Sequence, residues 1–269
     1  MMEIKIDLRW DDGHVVPSKV YPDLAFLLQR MNEATAAETE VSNGEMVLDV
    51  GCGRAVDIMR LAKRGAKCIG LEPSNTMISH AKKSISDSGM GVNLIQGVAE
   101  YMPFKPNSLD KVMCKGALDH FPHPAKTIEE MARVLKPRGK AIIAVSNSQS
   151  LGFRIGRSIF LIWKILPGRK IDLKKFYQMP PDHSYKFDYA FLRRMVEPHF
   201  QVDRSIGISL LYGLPYWSLL LAMLPKGVSL ATLSILDKLA RYLPWLSDAI
   251  VLKCSPKPES KYQLKEKEK

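Results

Sequence analysis

Apolar positions first recur at helical spacing, at Leu24, Leu27, Leu28 and Met31, behind the turn-like Tyr21-Pro22-Asp23. This predicts a helix after an irregular leader. The period then changes. Met46 to Val50 is a short apolar run ending in Gly51-Cys52-Gly53, the pattern of a buried parallel strand entering a glycine turn. A helix with Ile58, Leu61 and Ala62 on one face follows. Lys67 to Leu71, Val92 to Gln96, Asp110 to Cys114 and Lys140 to Ser146 read as further strands, with helices over Asn75 to Ser86 and Pro124 to Leu135 between them. Strands alternating with helices of this length imply right-handed crossovers and a mainly parallel sheet.

Beyond Ser150 the pattern predicts helices over Leu151 to Leu166 and Tyr189 to Val196, and final strands over Phe200 to Ile208 and Asp248 to Cys254. The fold class is therefore α/β, doubly wound, with a mainly parallel seven-stranded sheet. The expected organisation is an N-terminal helical cap at 1–44 and a main domain at 45–254. That domain contains a basic lid segment at 151–185 and a helical insertion at 212–246. The polar, charge-rich end at 255–269 is predicted to be a disordered tail. Ser205 to Pro225 carries no charge and approaches the length of a membrane span, but Gly207, Gly213 and Pro215 interrupt it. A strand, a turn and then a buried or lipid-facing helix fit it better.

A formal net charge of +11, from 39 Lys and Arg against 28 Asp and Glu, favours anionic partners. Seven of the basic residues fall between Leu151 and Gln178, against the single acid Asp172. Interleaved with Phe153, Ile159, Ile162 and Trp163, they suit either the headgroup boundary of an anionic membrane, with 151–175 as the contact, or a lid with snorkelling basic side chains. Cys52, Cys68, Cys114 and Cys254 lack CxxC spacing, which argues against a zinc site and a disulfide framework. The amino end has no signal-peptide pattern. A cytoplasmic protein, peripherally membrane-associated at most, is the expectation.

The candidate chemistry begins at the glycine turn, which lets the backbone approach a ligand closely. It is sharpened by Glu72 at the end of the second strand, where a carboxylate can accept ribose hydroxyls. VLDVGCG (47–53), GLEPS (70–74), GVAEYMPF (97–104), SLDKVMCKGALDHF (108–121) and RVLKPRGKAIIAVSN (133–147) together resemble, in order and spacing, the type 11 class I methyltransferases. That group includes quinone-biosynthesis and many small-molecule enzymes.

The resemblance covers about residues 44–147. It implies a Rossmann-like fold that binds S-adenosyl-L-methionine. It places Gly51, Cys52 and Gly53 beside the methionine part of the cofactor, Asp49 near its amino group and Glu72 on the ribose. Met77 would lie on the adenine, Ala99 and Glu100 beside the base, and Cys114 and Lys115 towards the sulfonium. Two positions depart from the family: Ala55 stands where a third glycine is common, and Val98 where an aspartate commonly accepts the adenine amino group.

Methyl transfer needs alignment and exclusion of water rather than a universal catalytic group. An oxygen or carbon acceptor also needs a base. His120, with Asp119 to orient it, is the first candidate; its plainer role is packing beneath the next loop. His183 and Tyr185 fall where relatives place a loop over the acceptor. The resulting expectation is methylation of a small, hydrophobic or isoprenoid-like acceptor. A nicotinamide dehydrogenase is disfavoured, because a third glycine near Val56 is missing. Nucleic-acid methylation is disfavoured too, because CKGAL replaces the NPPY kind of tetrad. A non-catalytic scaffold of the same fold is the remaining alternative, with Val98 as its support.

Overall fold

The computed structural model describes residues 7–14, 19–165 and 184–257. The expected His183 and most of the lid segment, 166–183, lie outside the described residues.

The strands are β1 (Met46–Val50), β2 (Lys67–Glu72), β3 (Val92–Gln96), β4 (Leu109–Lys115), β5 (Leu135–Ser146), β6 (Phe200–Ile208) and β7 (Ala249–Pro256). The helices are α1 (Pro22–Thr39), α2 (Val56–Ala62), α3 (Asn75–Ser88), α4 (Pro124–Val134), α5 (Leu151–Ile165), α6 (Tyr189–Val196), α7 (Trp217–Met223) and α8 (Lys226–Ala240). The seven strands form one sheet in the order β3-β2-β1-β4-β5-β7-β6. Every pairing from β3 to β5 is parallel, and only β7 is reversed, so its two pairings are antiparallel. Strand order reverses between β1 and β4, and ligands of doubly wound sheets bind outside the carboxyl edge at such a switch point.

Alternate residues of each strand serve opposite faces. Leu48, Val50, Val112, Cys114 and Ile143 join Ile128 and Met131 of α4 and Leu192 of α6 in one core. Val47, Met113, Ile142 and Val251 join Leu27 and Met31 of α1 and Ile58 and Leu61 of α2 on the other face. Helix α1 is thus a layer of the main domain. The 205–225 run divides into the end of β6, a turn, and α7. No helix among the described residues is long and apolar enough to cross a membrane. Strand β7 continues through Ser255 and Pro256, two residues into the segment expected as a tail, because they pair with Gln201 and Phe200 of β6.

Close approach explains two glycines. A Cβ on Gly70 would stand 2.6 Å from Cys52 Sγ, and one on Gly207 would stand 2.1 Å from the carbonyl of Ala240 at the end of α8. All four cysteines are free and buried.

Candidate active site

The glycine loop leaves β1 at the switch point. Gly51 and Gly53 have φ of 71° and 52°, values that L side chains avoid, and a Cβ on Gly51 would meet Ala117 at 2.6 Å. The loop after β4 therefore rests directly on the glycine loop. Ala55 takes a left-handed conformation (φ 60°) as the cap before α2 and is wholly buried, so the helix starts one residue later, at Val56.

Glu72, 5% exposed, reaches across from the end of β2 and accepts the amides of Gly53 and Ser74, both at 3.0 Å. Burial raises its pKa, and these two hydrogen bonds oppose that shift. Ser74 caps α3 by accepting the Met77 amide. Met77 is buried, with its Cε 3.4 Å from where a Gly53 Cβ would stand, so it forms an apolar wall beside the loop.

Asp49 is also buried. Desolvation pushes its carboxyl up to about 8; Asp57 and Glu72 add to the shift, and the Lys115 ammonium opposes it. Lys115 Nζ is held 2.5 Å from Asp57 Oδ2 of α2 and donates to Asn32 Oδ1 of α1. Strand alternation puts the neighbouring Cys114 on the opposite face, inside the core, with its thiol pushed well up by burial. The Cys52 thiol turns back against Gly70. Ala99 and Glu100 are both buried, and Glu100 Oε1 accepts the His123 amide (3.2 Å) at the start of α4. Val98 is half-buried.

The structure brings His120 and Tyr185 onto one loop system. His120 Nε2 lies 4.0 Å from Asp119 Oδ1. The Asp119 carbonyl accepts the amides of Ser184 (2.7 Å) and Tyr185 (3.2 Å), and the Tyr185 hydroxyl donates to the Pro122 carbonyl. Trp10, Asp12 and Arg54, absent from the sequence reading, also converge here. The Trp10 ring meets His120 at 5.2 Å, and Arg54 pairs with Asp12. No local signal reveals them, because 7–14 lacks any apolar period.

Buried carboxylates at Asp49 and Glu72, a backbone cradle and an apolar wall at Met77 fit a ligand with an ammonium group, vicinal hydroxyls and an aromatic base. S-adenosyl-L-methionine has these parts. Among the described residues, no cluster of His, Cys, Asp and Glu could hold a metal ion.

This architecture is shared with solved class I methyltransferase folds. The SAM-dependent methyltransferase from Aquifex aeolicus aligns with a TM-score of 0.52 at 16% identity, over 83% of this chain and 88% of that one. The YcgJ protein from Bacillus subtilis aligns at 0.56 and 18%, over 86% and 100%. The [4+2]-cyclase SpnF aligns at 0.57 and 17%, over 86% and 81%. At these identities the likeness is one of fold, and the cyclase shows that the fold hosts more than one reaction.

Residues 48–143 match the family described as Methyltransferase domain. The ubiquinone biosynthesis O-methyltransferase of Pectobacterium carotovorum is 31% identical over 179 residues, 62% of this chain and 74% of that protein. The chain belongs to the type 11 family of class I S-adenosylmethionine-dependent methyltransferases. It spans 58% of the length of the similarly named relative from Stutzerimonas stutzeri, which is 31% identical over 136 residues.

Proposed function

We propose that the protein methylates a hydroxyl oxygen of a small, hydrophobic, lipid-like acceptor, with S-adenosyl-L-methionine as donor. The observation that carries the donor assignment is the buried Glu72 carboxylate, which bridges the end of β2 to the Gly53 amide at the switch point. The oxygen acceptor is supported by the relatives named as O-methyltransferases.

When bound, the cofactor supplies an electrophilic methyl on a good leaving group. The chain's work is then alignment and exclusion of water. In this reading Glu72 holds the ribose hydroxyls, and Asp49 in its charged form faces the ammonium. Gly51 and Gly53 keep the backbone close. His120, oriented by Asp119, takes the proton from the acceptor hydroxyl, and Tyr185 holds the His120 loop through the Pro122 carbonyl.

Calorimetric titration with S-adenosylmethionine, with NAD as control, tests the donor. Saturable binding of the first alone is expected, and absence of binding removes the reading.

The acceptor is proposed to be met at an anionic membrane surface. Supporting this, α5 exposes Ile155, Leu161 and Ile162 beside Arg154, while α7 and α8 expose Leu220, Met223 and Ile235. The exposed charges of α8 and its end, Lys226, Lys238 and Arg241, are all basic, and the one acid, Asp237, is buried against Arg30. Part of the expected contact at 151–175 lies outside the described residues. Co-sedimentation with vesicles rich in anionic lipid should be strong at low salt and fall steeply as salt is raised. No co-sedimentation at low salt removes the membrane element alone.

A further inference from the structure

Residues 7–11 form neither helix nor strand and Asp12 opens a single 3-10 turn (Asp12–His14), yet this segment is pinned across the elements that carry the candidate cofactor residues. The Asn75 amide at the start of α3 donates to the Leu8 carbonyl (2.8 Å), and Ser74 Oγ donates to the Trp10 carbonyl (2.7 Å). His80 of α3 faces Asp11 at 3.3 Å. Arg54, next to Gly53, makes a two-point pair with Asp12 at 2.7 Å on each arm. Between these anchors the Trp10 indole stands edge-on to His120, with centroids 5.2 Å apart and planes at 62°. The segment thus touches three places: the α3 start beside Glu72, the α2 start beside Gly53, and the loop after β4. These are the corners of the candidate site.

We propose that Asp7 to Asp12 is a strap that roofs the cofactor site, and that Trp10 is its positioning residue, holding His120 over the acceptor side. The proposal rests on the reading of this site as a cofactor site. An edge-to-face aromatic contact fixes both ring planes. The Asp12–Arg54 pair is partly exposed, and such pairs are weak singly, which suits a latch that opens to admit a ligand and closes over it. A ligand that touches the docked strap tightens docking, and by linkage a loosened strap lowers that ligand's affinity.

The test uses the full chain and S-adenosylhomocysteine, which binds without turnover, followed by calorimetry and tryptophan emission. Binding should change the emission, and most of that change should vanish in Trp10→Phe. Trp10→Ala should weaken affinity about tenfold, roughly the loss of one aromatic contact, and Trp10→Phe should restore most of it. Asp12→Asn, at a partly exposed pair that the core does not need, should weaken affinity about threefold. Arg54→Gln should add nothing to Asp12→Asn. Unchanged affinity in both Trp10→Ala and Asp12→Asn overturns the strap and leaves the cofactor site standing. Failure of the unmodified chain to bind overturns the cofactor reading and the strap with it.

Discussion

Asp49 has a carboxyl group closed off from water beneath the glycine loop, with a folded pKa raised from 3.8 to about 8. Asp248, buried just before β7 with the Tyr212 amide on one oxygen, is raised from 3.8 to about 7, mainly by desolvation. A raised carboxyl pKa means that the folded state binds more protons than the unfolded one between the two values. Both groups therefore contribute stability below about pH 4 that is lost as pH rises towards 7 and 8. The melting temperature should fall across that window, and Asp49→Asn and Asp248→Asn should each flatten the fall. A bound ammonium group favours charged Asp49, so cofactor binding at pH 7 should release a proton. Calorimetry in two buffers of different ionisation enthalpy reads that release, and Asp49→Asn should abolish it. Glu72→Gln keeps the shape but removes the charge, and should weaken cofactor binding by about 1 to 3 kcal/mol; equal affinity would remove the ribose assignment. The placement of Gly51 in the turn after β1 and of Glu72 at the end of β2 was legible in the sequence, because strand, turn, helix and acid follow one another within a single βαβ unit. Trp10 and Arg54 were not, because their partners, His120 and Asp12, lie far along the chain.

At the scale of elements, β3, α6 and β6 have the bounds that their apolar patterns predict, although β6 changes face at its register shift, with Phe200 and Val202 on one core and Ile206 and Ile208 on the other. Strand β5 starts earlier than its apolar run. Leu135 pairs with Leu109 across a register shift, and Pro137 and Gly139 hide that pairing from any periodicity. The end of β7 was hidden for a similar reason, since Ser255 and Pro256 are strand only through their partners on β6. Gly207 shows how tightly the insertion is seated: an added methyl group meets the Ala240 carbonyl at 2.1 Å and Ser247 Cβ at 2.7 Å. Gly207→Ala should displace α8 and destabilise the fold by about 1 to 3 kcal/mol, read as a lower denaturation midpoint. Gly70→Ala should cost a similar amount by overpacking Cys52, and Cys52→Ala should relieve part of it, a coupling that a double-mutant cycle measures.

Across the whole molecule, α1 joins the switch point to the C-terminal half. Asn32 bonds Lys115 of β4, Arg30 pairs with Asp237 of α8, Ser218 of α7 donates to Asp23, and Glu38 meets Arg204 of β6. The four buried thiols are distributed over the same sheet, in the loop after β1, in β2, at the end of β4 and in β7. Burial raises each of their pKa values, Cys68 to about 11 and Cys254 to about 12. Only a thiolate attacks an alkylating reagent, so each sulfur reacts when its own part of the sheet opens to water. The four labelling rates are therefore four built-in clocks of local opening. Added S-adenosylhomocysteine should slow the clock at Cys52 first, while Cys254, on the far strand, keeps its own time.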